Sequence, residues 1–494
     1  MTNLVAYPVI LTLGVGILLL FLHGRVAAQR AVAFLGSLAG IGVSVLLTYT
    51  VWTQGILTQV GGGWPVPFGI SLTVDLFSGM MTILSAIILF TSLLFAFRDL
   101  DPEREKAFFY PVTYFMVTGI NLSFVTGDLF NLFVAFEVML ISSYFLLTIG
   151  GAPGQLREGL KYLVLNATAS TIFLVAIAML YGVTSSLNMA DVAQKVAQHP
   201  DSPYVTLIGI LFMIVFASKG ALFPLYFWLP RSYFFAPNGI AALFAAMLTK
   251  VGVYALVRVF TLIFVHDVGY THTILLWVSG GTMLLGVLGA IAQYDFKAIL
   301  SYHIISQIGY MIMGLGLFTP LAIAGTVFYI AHHIIVKSAL FLLAGVTQRI
   351  TGHTDFKKYS GLLADYPGLA FTFLATGISL AGVPPFSGFF SKFALLRAGV
   401  EQESWGIVTV SLVVSLFTLF SMVKIYRKAF WGKESGQRAK PSFRDHAMAM
   451  LPAVLLLALS VAMGFGARYM MDFAMAAAEQ LLNPSIYIQA VLGR

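Results

Sequence analysis

Residues 217–230 read ASKGALFPLYFWLP, an apolar stretch with one lysine, Lys219, and a proline, Pro224, in its interior. Residues 382–393 read GVPPFSGFFSKF and combine two adjacent prolines with Lys392 in the same way. A proline inside a helix removes a backbone donor and clashes with the preceding turn, so it kinks or splits the helix. In transporters, broken helices in corresponding positions of two halves indicate the transport site. The two stretches therefore predict two broken helices, each with a lysine.

The composition is that of a membrane protein. Of 494 residues, 59% are hydrophobic and 10% are charged, and the mean hydropathy is +0.91, outside the range of soluble globular proteins. We therefore predict an all-α polytopic membrane protein. The sequence has no cysteine, which excludes disulfides and thiolate-bound clusters. It has no recognisable nucleotide-binding or catalytic motif, so no cofactor is predicted.

Apolar segments of about 20 residues, the length that crosses a bilayer, predict fourteen spans. They lie near residues 4–22, 31–52, 75–97, 107–127, 128–149, 161–182, 205–229, 239–264, 272–293, 298–317, 321–347, 367–396, 405–428 and 447–468. Residues 53–74 are expected to form an outer loop with a hairpin. The first span lacks the flanks of a removable signal peptide.

Charges in the connections predict the orientation. Nineteen of the 28 basic residues fall in alternate connections, all on one side. By the positive-inside rule this side is cytoplasmic, which places both termini outside the cell. The net charge of +8 follows this topology, so no nucleic-acid partner is expected.

The broken helices occupy equivalent places in two five-span units. Pro224 and Pro385 are 161 residues apart, close to the 165 residues between the starts of spans four and nine. Since five spans reverse the direction of the chain, spans 4–8 and 9–13 are predicted to form inverted repeats, with helix breaks at Pro224 and at Pro384 and Pro385. The predicted domains are residues 1–106 (spans one to three), 107–264 and 265–431 (the repeats), and 432–494 (a basic cytoplasmic loop, span fourteen and an outer tail).

Five charged residues lie deep inside predicted spans. They are Glu137, Lys219, Lys250, Lys337 and Lys392. Such groups cost roughly 3 kcal/mol or more in a hydrocarbon core unless they face a cavity or a partner, so a functional role is the default interpretation and a structural ion pair the alternative. Lysine suits proton exchange because desolvation brings its pKa towards neutrality and a nearby carboxylate opposes that change. We hypothesise that a Glu137–Lys219 pair opens and closes to load and release a proton.

Three histidines in spans ten and eleven, His303, His332 and His333, are candidates for a proton relay. The alternative is that each is a core histidine bonded to a neighbouring carbonyl. No metal site is predicted, because a hard cation needs several oxygen ligands and Glu137 is the only carboxylate placed deep in a span.

Four motifs carry a family resemblance. They are TGDLFNLFVAFE at 126–137, ASKGALFPLYFWLP at 217–230, AHHIIVKSALF at 331–341 and GVPPFSGFFSKF at 382–393. Together they resemble the antiporter-like family, which includes the proton-pumping membrane subunits of NADH-quinone oxidoreductase and the large subunits of Mrp-type Na⁺/H⁺ antiporters. The resemblance covers nearly the whole chain and is greatest to the D-type Mrp subunits.

The resemblance implies a role for each buried charge. Glu137 matches the family glutamate of span five, Lys219 its paired lysine on broken helix seven, Lys250 the central lysine, Lys337 the bridging residue of span eleven and Lys392 the terminal group on broken helix twelve. A hydrated proton path would run through them in that order. The resemblance also implies a bacterial cell membrane, neighbouring A- and C-type subunits of an antiporter complex, and passage of Na⁺ through another subunit.

Two functions therefore remain open. The chain could be the proton-translocating subunit of a monovalent cation/proton antiporter, or an N- or M-like pump subunit of NADH-quinone oxidoreductase or a membrane-bound hydrogenase. Lysine at 392, where one oxidoreductase subunit type has glutamate, and the run TGDLFN before Glu137 favour the Mrp branch. A stand-alone permease or an intramembrane enzyme is disfavoured, because the sequence has no substrate-binding carboxylate pair and no catalytic set.

Overall fold

The structure is a computed structural model that describes residues 2–199, 202–436, 438–439 and 441–493. Its principal helices are α1 Tyr7–Phe21, α2 Val26–Gln54, α3 Leu76–Asp99, α4 Tyr110–Val125, α5 Leu129–Thr148, α6 Pro153–Thr184, α7a Pro203–Lys219, α7b Leu229–Phe235, α8 Asn238–Leu262, α9 Val268–Ala292, α10 Phe296–Leu317, α11 Pro320–Thr351, α12a Pro367–Ala381, α12b Ser387–Glu401, α13 Trp405–Ile425, α14 Phe443–Phe465, α15 Ala467–Leu482 and α16 Pro484–Leu492. Short helices span Pro102–Arg104, Met189–Val196 and Leu362–Asp365, 3₁₀ segments span Thr2–Ala6 and Gly61–Gly63, and π-helical segments span Glu105–Phe109 and Tyr426–Phe430.

The helices confirm the predicted all-α membrane architecture. Within the described residues, twelve helices are long and apolar enough to cross a membrane. The other two predicted spans, seven and twelve, begin with shorter apolar helices of 17 and 15 residues. The fourteen predicted spans therefore correspond to twelve continuous helices and two interrupted ones.

The first break separates α7a from α7b. Helix α7a ends at Lys219, and the chain resumes a helix only at Leu229. Between them, the indole N–H of Trp228 donates to the carbonyl of Ser218 at 2.9 Å. Because an interrupted helix leaves carbonyls without partners, this bond satisfies one of them inside the apolar bundle.

The second break separates α12a from α12b and is built on Gly382. This residue follows the end of α12a and has a φ of +92°, a conformation that favours glycine. A Cβ at this position would lie 2.9 Å from Cδ of Lys392. The glycine therefore allows both the turn and the close passage of the lysine side chain.

The predicted hairpin is present and positions α5. Strands β1 (Leu57–Val60) and β2 (Ser71–Val74) pair antiparallel. The amide of Gly127 donates to the carbonyl of Ser71 at 2.8 Å, and the Asp128 carboxylate caps α5 by accepting from the amide of Asn131 at 2.8 Å. The TGD motif thus fixes the start of the helix that carries Glu137.

Helices α8 and α11 form the centre of the bundle. Both are buried almost throughout and pack against each other. On one side, α5, α6, α7a and α8 pack in that order; on the other, α10 and α12b pack against α11. The outer helices α1, α2, α9 and α13 expose apolar side chains, as lipid contact requires. The inverted-repeat relation, the domain boundaries and the orientation stay predictions.

A buried ion pair joins the start of α3 to α8. Nη2 of Arg258 lies 2.6 Å from Oδ2 of Asp75, with side chains 5% and 1% exposed. Arg258 also donates to the hydroxyl of Tyr254 at 3.2 Å and lies 5.3 Å from the ring centroid of Tyr487 in α16. Arg258 falls within predicted span eight, and the structure buries its side chain inside α8, where it contacts the start of α3 and α16.

We expect Arg258→Ala to lower the melting temperature of the purified protein strongly, because removing one partner of a buried ion pair leaves the other charge uncompensated, at about 3–5 kcal/mol. Arg397→Ala is the control, since Arg397 pairs with Glu401 on an exposed surface and such pairs contribute about 0–1 kcal/mol. The double variant Asp75→Asn/Arg258→Gln should recover part of the loss. Equal melting temperatures for Arg258→Ala and Arg397→Ala would contradict the assigned role.

Candidate functional site

Lys219 lies at the first helix break among acceptors from α6. Its side chain is buried. Nζ donates to the backbone carbonyl of Asn166 at 3.2 Å and to Oγ of Ser170 at 2.9 Å. Uncharged oxygen atoms therefore hold this lysine.

Glu137 lies near Lys219 without contacting it directly. The ring centroid of Phe136, its neighbour on α5, is 5.8 Å from Nζ of Lys219, and the two charges are close enough to interact electrostatically. Among the described residues no ion pair joins them, and Oε1 of Glu137 is buried without a hydrogen-bond partner. The hypothesised Glu137–Lys219 pair is therefore open in this structure.

Lys250 and Lys337 occupy the centre of the bundle on α8 and α11, and both are fully buried. Nζ of Lys250 donates to the carbonyl of Ala245 at 2.6 Å and to Oγ of Thr249 at 3.2 Å. Nζ of Lys337 has no hydrogen-bond partner in the described part of the chain. The two lysines lie on helices that pack directly against each other.

The three candidate histidines are buried beside these lysines. Both ring nitrogens of His303 and of His333 lack a partner within the described residues, and both rings lie close enough to Lys337 to interact electrostatically. His332 differs, because its Nδ1 is 2.8 Å from Oγ of Ser387. Across the described ranges, none of the three makes the bond to a neighbouring carbonyl that a purely structural histidine was expected to make.

Lys392 lies at the second helix break. Its Nζ donates to the carbonyls of Leu380 and Ala381, each at 3.2 Å, and to Oγ of Ser415 at 3.3 Å. Nζ is also 4.5 Å from the ring centroid of Tyr310. The carbonyl end of a helix carries a partial negative charge, so the end of α12a stabilises the ammonium.

A polar cavity lies at the ends of α8, α10 and α11, on the side of the basic connections. Its volume is about 420 Å³, and its lining includes Asp99, Lys297 and Gln348. Nζ of Lys297 is buried and donates to the carbonyl of Ala236 at 2.7 Å, whereas Oε1 of Gln348 has no partner among the described residues. By sequence alone, Lys297 falls in a connecting loop; its position directly at the start of an apolar span was the signal that could have placed it here.

The cavity shares three helices with the central charges. The helices that end there carry Lys250, His303 and Lys337 at greater depth. In the described residues, no group of three or more histidine, aspartate or glutamate side chains is arranged to hold a metal ion.

Comparison with known proteins identifies the family. Residues 126–418 match the family described as NADH:quinone oxidoreductase/Mrp antiporter, transmembrane. This chain belongs to that family. It is 52% identical, over 100% of both chains, to the D-type Na⁺/H⁺ antiporter subunit of Alkalihalophilus pseudofirmus, and 41% identical, over 100% of both chains, to that of Bacillus subtilis.

A solved structure is also similar along the whole chain. A chain of the Mrp complex from Dietzia sp. DQ12-45-1b superposes with a TM-score of 0.93 at 30% identity, covering 100% of this chain and 99% of that one. The family resemblance drawn from the four motifs is therefore confirmed, including the likeness to D-type subunits.

We expect Glu137→Gln to reduce Na⁺-dependent proton movement in inverted vesicles at least about tenfold, which corresponds to about 1.4 kcal/mol, because the amide cannot supply the charge that acts on Lys219. A pH-sensitive dye reports the exchange, at equal amounts of assembled complex. Glu401→Gln, at an exposed carboxylate, is the control and should keep full activity. An assembled Glu137→Gln complex with full exchange would contradict the role of Glu137.

Proposed function

We propose that this chain is the D-type, proton-translocating membrane subunit of a multi-subunit Na⁺/H⁺ antiporter. It is a secondary transporter subunit, and it carries out no covalent chemistry of its own. One observation carries the proposal: four buried lysines, Lys219, Lys250, Lys337 and Lys392, lie on helices that pack in sequence through the middle of the bundle. The names of its full-length relatives support the same function.

In the described part of the chain, the proposed path contains one lysine without a hydrogen-bond partner among lysines that oxygen atoms hold. Oxygen atoms hold Lys219, Lys250 and Lys392, whereas Lys337 has no partner among the described residues. A proton that reaches Lys337 is therefore held less firmly than one on a neighbouring lysine and is favoured to move on. Closure of the Glu137–Lys219 pair would hold a proton at one end, and its opening would release it.

The polar cavity beside Lys297 is the proposed connection between the central groups and water. By the positive-inside rule it opens to the cytoplasm, with both termini outside the cell. We place the passage of Na⁺ in another subunit, because Glu137 is the only carboxylate that the sequence places deep in a span. A- and C-type subunits are the proposed neighbours in a bacterial cell membrane.

A redox-driven pump would use a similar series of buried lysines, since the family includes subunits of NADH:quinone oxidoreductase. The named antiporter relatives favour the antiporter. Native mass spectrometry of the complex in mild detergent decides between them: partners rich in cysteine cluster motifs would contradict the antiporter assignment, and partners without them would support it.

We expect Lys250→Arg to stop exchange in assembled complexes, because a guanidinium does not release its proton in the working pH range. Dye-monitored exchange in inverted vesicles, between about pH 7 and 9, is the measurement. Arg397→Lys, at an exposed position, controls for the exchange of basic groups. An active Lys250→Arg variant would show that a fixed positive charge is enough at this position.

Lys392 distinguishes proton exchange from a structural ion pair. We expect Lys392→Glu to keep partial exchange with a shifted pH optimum, because a protonated carboxyl can still donate one hydrogen bond to the carbonyls of Leu380 and Ala381. Lys392→Ala leaves no titratable group and should be inactive. The pH profiles of both variants in the same vesicles test this; an active alanine variant, or a glutamate variant worse than alanine, would remove Lys392 from the path.

A further inference from the structure

A chain of three buried serine hydroxyls extends from His332 to α14. Nδ1 of His332 is 2.8 Å from Oγ of Ser387, which is 3.0 Å from Oγ of Ser460. Oγ of Ser460 is in turn 2.9 Å from Oγ of Ser379. All four side chains are at most 1% exposed. The chain therefore runs through the interior, where each hydroxyl depends on its neighbours for hydrogen bonds.

The hydroxyl of Ser460 bridges the second helix break. Ser379 belongs to α12a and Ser387 begins α12b, so Ser460 of α14 contacts both halves of the broken helix at once. Helix α14 comes very close here, since a Cβ on Gly464 would lie 2.3 Å from the carbonyl of Pro385. Ser460 is thus held at the break by backbone packing as well as by its hydrogen bonds.

The direction of the chain depends on the proton of His332. A hydroxyl has one proton and can donate one hydrogen bond. If Nδ1 accepts, Ser387 donates to it, Ser460 to Ser387 and Ser379 to Ser460. If Nδ1 carries a proton, every donor reverses, and Ser379 donates to another acceptor, such as the helix carbonyl four residues before it. One proton at His332 therefore changes the hydrogen bonds on both sides of the break.

We propose that Ser460, together with Ser387, is a positioning residue for His332: the hydroxyl chain selects the ring nitrogen that carries the proton and couples that choice to the two halves of α12. The inference rests on the proposed function, because it assigns His332 to the proton path. It adds a residue of α14, a helix outside both predicted repeats, to that path.

The titratable residues around His332 lie on several helices. Lys392 faces it from α12b, Tyr329 and His333 lie on α11 itself, and α10 brings His303 and Tyr310 to the same region. Lys337 also lies on α11, and α8, which packs against α11, carries Lys250, Tyr254 and Arg258. Helix α15 packs against α11 as well and carries Arg468, Tyr469, Asp472 and Glu479. Helices α3 and α12a have no titratable residue in their apolar lengths, and those of α14 are confined to its first turn. A change of the pH profile on loss of Ser460 is therefore attributable to a named set of groups.

The test compares Ser460→Ala with Ser460→Thr in inverted vesicles. Loss of one buried hydrogen bond predicts an exchange rate about five- to tenfold lower for the alanine variant, with a pH optimum shifted by about half a unit or more. The threonine variant keeps a hydroxyl and should restore the profile. Ser387→Ala should behave like Ser460→Ala. Ser421→Ala is the matched control, since Oγ of Ser421 is buried with no partner among the described residues.

A double-mutant cycle with His332→Gln separates positioning from packing. If Ser460 acts through His332, Ser460→Ala has no further effect in the His332→Gln background. An unchanged pH profile for Ser460→Ala, or an equal loss in both backgrounds, would overturn the inference. If His332→Gln is itself inactive, the test rests on the pH profile of Ser460→Ala and on whether Ser460→Thr restores the original profile. The proposed function is tested separately: full exchange activity in the Glu137→Gln and Lys392→Ala complexes would contradict it, whatever the result for Ser460.

Discussion

A lysine side chain inside an apolar helix bundle is the constraint on which the rest of this structure depends. A charged group in such surroundings costs roughly 3 kcal/mol or more unless polar groups stabilise it. At Lys392 those groups are the carbonyls of Leu380 and Ala381. They are free to accept a hydrogen bond because α12a ends at Ala381. The helix break and the lysine therefore stabilise each other: the ammonium satisfies backbone oxygens that lipid could not, and the oxygens make a buried cation tolerable.

The two halves of the bundle stabilise their lysines with the same kinds of oxygen acceptor and differ in one nearby charge. In the first half, Lys219 is held by a backbone carbonyl and by Ser170 of α6, with the charge of Glu137 nearby. In the second half, Lys392 likewise has backbone carbonyls, the hydroxyl of Ser415 and the ring of Tyr310. The two sites differ in the carboxylate of Glu137, which lies near Lys219 and has no counterpart among the described contacts of Lys392.

The sequence by itself determined the membrane architecture, the two broken helices and the four central lysines, but not buried charges such as Arg258 and Lys297. Apolar length and interior proline are local properties, so Pro224, Pro385 and the five deep charges could be found without any knowledge of neighbours. The four family motifs added the antiporter-like family, which the comparisons confirm. The TGD run was visible as a motif, although its contact with Ser71 was not.

Only the tertiary structure decided which groups meet. Sequence reasoning proposed a Glu137–Lys219 pair that opens and closes, and only the structure shows that Lys219 donates to Ser170 while Oε1 of Glu137 has no partner among the described residues. The hydrogen bonds that connect His332 through Ser387 to Ser460 of α14 could not be predicted from the sequence either. The physical reason is that helices in a membrane are apolar on nearly every side, so the sequence carries little signal of which face turns inward. Packing between helices far apart in the chain sets that rotation, and with it every contact of the site.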